Sequence, residues 1–145
     1  MAGAPNAPLR IGIADDHALF RQGLRALLEL EGHIEVAAEM GRVDDIAPTL
    51  TRTPCDILLL DLQMDRYAMA EITPLSRHAY VVVVTASQKP QEAMAAFRAG
   101  ARAVVFKRFA VETLLNAIRT VARGDVWIPE VLQADLLNGL QCRAP

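Results

Sequence analysis

Cysteine, lysine and net charge are all scarce in this 145-residue sequence. The two cysteines, Cys55 and Cys142, are far apart and make no disulfide framework, which is typical of a reducing, cytoplasmic setting. Only two of the 15 basic residues are lysines, Lys89 and Lys107, and the 17 acidic residues leave a formal net charge of −2. A composition so close to neutral favours neither nucleic acid nor an anionic membrane surface as a partner.

Long hydrophobic runs are missing as well. No apolar run approaches the roughly 18 residues needed to span a bilayer. The first ten residues, MAGAPNAPLR, lack a basic start followed by an apolar stretch, so we predict no signal peptide and expect residues 1–7 to be a flexible tail. Apolar residues are nevertheless abundant: they form 52% of the chain, which is enough for one domain with its own core.

Short apolar segments alternate with helical patterns along the chain. Uninterrupted runs such as CDILLLD and YVVVVT are typical of strands buried on both faces, as in parallel sheets. The segments between the apolar runs carry apolar residues at helical spacing. The predicted strands are 9–14, 34–38, 55–61, 80–85 and 103–106, and the predicted helices are 17–31, 43–52, 90–99 and 111–121.

This alternation predicts an α/β fold with a five-stranded, doubly wound parallel sheet. We place the domain at residues 8–124, with Gly124 just past the last clear helix, where a C-cap often falls. Pro48 should shorten or distort the second helix, because proline lacks the N–H that a helix interior needs. Residues 125–145 are expected to be an extension with a short helix starting near Pro129. The sequence leaves open whether it is a linker, a dimer element or a packed extension.

Polar residues collect where the predicted strands end. Asp15 and Asp16 follow the first strand, Asp61 the third, Thr85 ends the fourth and Lys107 follows the fifth. In open parallel sheets ligands bind beyond the carboxyl ends of the strands. Clustered carboxylates suit a hard divalent cation such as Mg²⁺, which takes oxygen ligands and often phosphate oxygens as well. A carboxylate beside such a cation and a lysine can act as a nucleophile toward a phosphoryl group.

Each of these residues also has a purely structural explanation. Adjacent aspartates can cap a helix, threonine suits strands, and a lysine can be a surface charge. In a chain that prefers arginine, however, a lysine offers a compact point charge that arginine does not. We expect His17 to be a helix-start residue rather than a metal ligand.

Taken together, the segments ADDH, DILLLDLQM, VVVVTA and GARAVVFK resemble the receiver domain of bacterial two-component response regulators. The run DDHALFRQGL is similar to the NarL/FixJ (LuxR-type) subfamily. The resemblance covers roughly Pro8 to Gly124 and implies a flavodoxin-like fold.

The resemblance also implies roles for individual residues. Asp61 matches the phosphoryl acceptor, and Asp16 matches the direct Mg²⁺ ligand, with Asp15 binding the ion directly or through water. Gln63 matches the position whose backbone carbonyl completes the metal shell. Thr85 matches the hydroxyl that turns toward the phosphoryl group, and Lys107 the lysine that pairs with the acceptor.

Several positions depart from the family pattern. Asp65 stands where a proline is usual, a nearby glycine is missing, and the segment between Asp61 and Thr85 is short, so the third helix should be shortened, remodelled or partly disordered. Val104 stands at the switch position that is usually aromatic. Arg108 follows the lysine in place of a proline that forms a cis peptide. A cis bond before a non-proline residue costs about 2.5–4 kcal/mol, so we expect either a trans bond that moves Lys107 or a strained cis bond.

The resemblance implies a sensor histidine kinase as phosphodonor, a possible homodimer, and DNA contact only through an output domain that these residues do not contain. We expect a cytoplasmic signalling domain and not an enzyme. Two other hypotheses remain: an atypical receiver that acts as a phosphate-independent interaction module, and an aspartyl-nucleophile phosphohydrolase. Gln63 argues against the second, because such enzymes carry an aspartate two residues after the nucleophile.

Overall fold

The computed structural model describes residues 7–108 and 111–134. Strands and helices alternate along the chain, and short 3-10 turns lead into the second and third helices. The strands are β1 (Leu9–Ala14), β2 (Ile34–Met40), β3 (Ile57–Leu60), β4 (Tyr80–Thr85) and β5 (Ala103–Phe106), and the helices are α1 (Ala18–Glu29), α2 (Ile46–Arg52), α3 (Ile72–Leu75), α4 (Pro90–Ala99) and α5 (Val111–Ala122).

The five strands form one parallel sheet in the order β2-β1-β3-β4-β5. The predicted fold class is thereby confirmed. The register brings the carboxyl ends of four strands to the same level: Ala14 pairs with Leu60, Leu60 with Val83, and Thr85 with Phe106. Residues that directly follow these strands therefore meet at one edge of the sheet.

Helices cover both faces of the sheet, and the strand residues alternate between two cores. In β3, Ile57 and Leu59 pack in the layer of α1 and α5, whereas Leu58 and Leu60 pack in the layer of α2, α3 and α4. All four of these side chains are buried. This explains why β3 is apolar throughout, since a strand covered on both faces has no solvent-exposed side.

Local signals account for most element boundaries. Strands β1, β4 and β5 and helix α4 have the predicted bounds, whereas β2 runs two residues further, to Met40. Pro48 is the third residue of α2, so it lies in the first turn, where a missing N–H costs nothing. Gly100 and Gly124, with φ of 117° and 87°, follow the ends of α4 and α5 in the left-handed region that favours glycine.

The segment after α5 packs against the domain as far as the structure describes it. Trp127 forms a parallel bridge with Ala103 of β5, and its N–H donates to the carbonyl of Arg102. Residues 130–134 are helical, and Leu132 among them is buried in the core of the α2–α4 layer. The rest of the predicted extension, residues 135–145, lies outside the described residues, as do residues 1–6 of the tail predicted at residues 1–7.

Candidate functional site

Backbone hydrogen bonds extend the sheet into the residues that follow the strands. The N–H of Asp15 donates to Met40 (3.0 Å), that of Asp61 to Ala14 (2.9 Å) and that of Lys107 to Thr85 (2.8 Å). Each polar residue is thus the last rung of a parallel ladder rather than part of a free loop. The sheet itself sets the positions of their Cα atoms.

Two buried carboxylates face one ammonium group at this edge. Asp15 and Asp61 are each only 2% exposed. Lys107 Nζ lies 2.9 Å from Asp15 Oδ2 and 3.2 Å from Asp61 Oδ2. A lone buried carboxylate would be costly, and two neighbouring ones repel each other, so the ammonium compensates both. The predicted meeting of Asp15, Asp61 and Lys107 is what the structure contains.

The pKa values of Asp61 and Lys107 are both raised above their ordinary values. Burial raises the pKa of Asp61, and the charge of Asp15 adds to this, while the Gln63 N–H and Lys107 oppose it. Burial alone would lower the pKa of Lys107, but the hydrogen bond to Asp15 and the charges of both carboxylates raise it overall. Lys107 therefore stays charged, and Asp61 is more basic than an exposed aspartate.

Asp16 and His17 complete a group of possible metal ligands. Asp16 is exposed beside the two buried aspartates, and ligand atoms of Asp15, Asp16, His17 and Asp61 all lie within 4.8 Å of one another. The donor set fits a divalent cation because three carboxylates offer hard oxygens. The ammonium of Lys107, bound to two of these carboxylates, acts as a stand-in cation and shows that this edge stabilises positive charge.

Gln63 and Thr85 border the acceptor position. The Gln63 N–H donates to Asp61 Oδ1 at 3.1 Å, which orients that carboxylate. Thr85 is buried, and its Oγ1 accepts from the Ser87 N–H at 3.1 Å. Val104 is also buried, in the same core as Phe106, so the position that is usually aromatic is a packed aliphatic side chain here.

The atypical segment after Asp61 is short but well anchored. Helix α3 has only four residues, which confirms the predicted shortening. Leu62, Met64 and Ala68 are buried in the core of the α2–α4 layer, and the Ala68 N–H donates to the Leu62 carbonyl at 2.9 Å. This segment lacks the proline and glycine that are usual in the family. Buried apolar side chains and a local turn hold it in place instead.

Asp65 does not join the possible metal ligands. Its Oδ1 accepts from the Val43 N–H at 2.8 Å, and its Oδ2 lies 4.0 Å from Arg42. The carboxylate thus stabilises the turn that leads into α2.

The residue after Lys107 requires no special peptide geometry. Among the described residues all peptide bonds are trans, including the one between Lys107 and Arg108. Of the two outcomes considered for this bond, the trans form is therefore the one observed. The lysine nevertheless reaches both carboxylates, because the β5 ladder fixes its backbone.

Sequence reasoning missed three contributions near the site. His17 directly precedes α1, as expected of a helix-start residue, and its ring also faces the aspartates. Phe20 of α1 lies under the Lys107 ammonium, with 4.5 Å between the ring centroid and Nζ. Tyr67 donates a 2.6 Å hydrogen bond from its hydroxyl to Glu92 of α4. The adjacency of His17 to the aspartate pair was the only signal in the sequence.

Comparison with known proteins adds a family-level finding. Residues 11–119 match the family described as the response regulator receiver domain. The chain is 36% identical over 121 residues to the nitrate/nitrite response regulator protein NarP of Escherichia coli (strain K12), covering 81% of this chain and 56% of that protein. It is 29% identical over 134 residues to the uncharacterized transcriptional regulatory protein YxjL of Bacillus subtilis (strain 168), covering 90% and 62%. The chain thus spans a little over half the length of these relatives.

Solved structures agree in fold. A two-component response regulator of the LuxR family from Aurantimonas sp. SI85-9A1 matches with a TM-score of 0.82 at 26% identity, covering 92% of this chain and 98% of that one. The isolated REC domain of RcsB from Salmonella enterica serovar Typhimurium has a TM-score of 0.79, with 88% and 97% covered; at 24% identity this likeness concerns the fold alone. No helix among residues 7–108 and 111–134 is long and apolar enough to cross a bilayer.

Proposed function

The chain belongs to the response regulator receiver domain family, LuxR type, and on this premise we propose that it accepts a phosphoryl group on Asp61 from a sensor histidine kinase. Modification of Asp61 would then switch an output, which we propose to be transcriptional. One observation carries the proposal: Asp61 is buried at the end of β3 with the Lys107 ammonium 3.2 Å from its Oδ2.

The raised basicity of Asp61 suits a nucleophile. An ionised Asp61 oxygen would attack the phosphorus, forming an O–P bond while the P–N bond to the donor histidine breaks. The electron pair of that bond returns to the donor imidazole, which then takes a proton from water. Lys107, already paired with Asp61, would balance charge on the phosphoryl oxygens.

Thr85 and Gln63 are proposed to position the group. The Gln63 N–H holds Asp61 Oδ1 and so limits rotation of the carboxylate. The Thr85 hydroxyl accepts a hydrogen bond from the backbone, so its own proton is free to be directed at a phosphoryl oxygen. Val104 and Phe106 pack beneath this strand end in one core. We expect a switch that depends less on a swinging ring than in other receivers.

The acidic group is proposed to hold the cation that such transfers use. Asp15, Asp16 and Asp61, with the backbone carbonyl of Gln63, would bind Mg²⁺ or another divalent ion. When bound, this ion would neutralise phosphoryl charge and help orient the transferred group.

Partners are proposed from the family rather than from contacts. A kinase would supply the phosphoryl group, and a second copy of the chain is a candidate for association. The matched regions cover only 56% of NarP and 62% of YxjL, and YxjL is named a transcriptional regulatory protein, so we propose that any DNA contact is made by an output domain. We further propose that the domain has no enzymatic role beyond slow phosphorylation and dephosphorylation of itself.

Intact mass after incubation with a small-molecule phosphodonor tests the proposal. Wild type with Mg²⁺ should gain one phosphoryl adduct, and Asp61→Asn should gain none. Asp65→Asn is the matched control, since it removes a carboxylate from the same loop that is outside the ligand group. Chelation of the metal should suppress the adduct. A folded wild type that gains no adduct and binds no Mg²⁺ would instead indicate a phosphate-independent interaction module.

A further inference from the structure

We propose that His17 is an additional ligand of the cation site and makes it selective for first-row transition metal ions, such as Co²⁺, over Mg²⁺. The inference rests on the proposed function in that it concerns the same site. The proposed function needs only the carboxylates and a divalent cation. The inference adds the His17 imidazole as a ligand and a preference for transition metal ions over Mg²⁺.

The His17 ring faces every carboxylate of the group. Its Nδ1 lies 3.1 Å from Asp15 Oδ1, 3.3 Å from Asp16 Oδ1 and 3.9 Å from Asp61 Oδ2. An ion with ligand bonds of about 2.1 Å holds neighbouring ligand atoms about 3 Å apart. The spacing of the nitrogen from the first two oxygens therefore suits ligands that share one ion.

The backbone holds His17 in place, whereas its ring remains adjustable. The His17 N–H donates to Asp15 Oδ1 at 2.8 Å, which ties the start of α1 to the buried aspartate. The side chain is 64% exposed, so most of the ring is in contact with solvent rather than packed in the core. The ring can thus complete a metal shell without repacking the core.

Lys107 approaches Asp15 from the opposite oxygen. The ammonium contacts Asp15 Oδ2, whereas His17 contacts Asp15 Oδ1 and Asp16 Oδ1. An ion bound on the His17 side therefore does not compete for the Asp15 oxygen that Lys107 uses. This separation allows the lysine and a divalent cation to share the acidic edge.

The chemistry of the donor set decides the preference. Mg²⁺ takes hard oxygen ligands and is reluctant to lose its waters, so an imidazole adds little to its binding. Nitrogen ligands suit iron, nickel and zinc, and affinity rises from manganese through cobalt to nickel at a given site. A site of three carboxylates alone would also bind cobalt more tightly than manganese. The inference is therefore tested by how much of the preference for Co²⁺ over Mg²⁺ is lost when His17 is removed.

Isothermal titration of the untagged protein with Co²⁺ and with Mg²⁺ measures that part. In His17→Ala the Kd for Co²⁺ should rise about tenfold or more, since even groups that only support a ligand change affinity by about 10–100-fold. The Kd for Mg²⁺ should change less than about twofold. His33→Ala is the matched control, because His33 is exposed and outside the ligand group, and both of its Kd values should equal those of wild type.

Proton NMR of the Co²⁺ complex gives a second readout. A ligating imidazole should produce strongly shifted ring resonances that are present in wild type and His33→Ala and lost in His17→Ala. Equal Co²⁺ affinities of wild type and His17→Ala, or shifted resonances that survive the substitution, would overturn the inference. If His17→Ala also still gains the Mg²⁺-dependent adduct on Asp61, the proposed function stands while the inference fails. A wild type that binds neither ion and gains no adduct would overturn both.

Discussion

The helical layer of α1 and α5 consists of two twelve-residue helices, whereas the opposite layer has helices of seven, four and ten residues. The two long helices supply most of the cover on the first face of the sheet, and Trp127 packs against the same core. On the second face, Leu62, Met64 and Ala68 from the segment after Asp61 fill space that helices leave open. The loop that borders the acceptor is therefore part of the hydrophobic core of the α2–α4 layer and, among the residues that the structure describes, contributes no buried side chain to the core of the α1–α5 layer.

This difference separates stability from function in a testable way. A cavity in the α1–α5 layer should weaken the fold as a whole and leave the acceptor loop in place. A cavity in the α2–α4 layer should weaken the fold and also loosen the segment that orients Asp61 through the Gln63 N–H.

The largest effect is expected from a matched pair of core truncations. Ile72→Ala in α3 and Leu28→Ala in α1 each remove a side chain that is 0% exposed. Each should lower the free energy of unfolding by about 2–5 kcal/mol, measured by urea denaturation. Below the unfolding transition, Ile72→Ala should also slow phosphoryl uptake, whereas Leu28→Ala should keep the wild-type rate. Equal rates in the two variants would show that the loop does not depend on its own core.

A glycine pair should give effects of opposite sign. Gly100 ends α4 at φ 117°, and a Cβ added there would also lie 3.4 Å from Ser76 Oγ, so Gly100→Ala should cost about 1–2 kcal/mol. Gly23 lies inside α1, where an added Cβ meets nothing within 4 Å, so Gly23→Ala should stabilise by about 0.5–1 kcal/mol. Thermal unfolding of both variants measures the difference. A stabilised Gly100→Ala would contradict this assignment.

The smallest effect is expected at the link between the loop and α4. The Tyr67 hydroxyl donates to Glu92, and because Tyr67 is 47% exposed, Tyr67→Phe should cost less than about 1 kcal/mol. Burial and this hydrogen bond raise the pKa of Tyr67 to about 12 from its ordinary value of 10.0. A raised pKa contributes stability that is present below pH 10 and is lost as the pH rises through 12.

Ultraviolet difference titration of wild type against Tyr67→Phe checks this pKa. The phenol missing from the variant should ionise with a midpoint near 12. A midpoint at the ordinary tyrosine value would mean that the loop is not held against α4 in solution. Glu92→Gln is the control, since it keeps an acceptor but removes the charge, and it should lower the midpoint only in part.

The predictable features of this protein are those that depend on neighbours in the chain. Strand β4 lies inside the sheet and β5 at its edge, yet the side chains of both are almost entirely buried. The apolar runs YVVVV and AVVF therefore predicted both strands with their observed bounds, β4 ending at Thr85. The short α3 followed from the missing residues after Asp61. The helical spacing of apolar residues predicted α1, but that spacing says nothing about Phe20 lying under the ammonium of Lys107, which follows β5.

The sequence by itself determined which residues stand at the ends of the strands. A strand that is buried on both faces requires a continuous apolar run, and that run ends where the polar residues begin. Only the tertiary structure decided their partners. Lys107 and Asp61 are 46 positions apart, and their contact depends on the register between β3, β4 and β5. Asp65 turned to the Val43 N–H, 22 positions away, rather than to a cation. Such side-chain partners depend on the packing of elements that are distant in the sequence, and the local spacing of residues does not predict them.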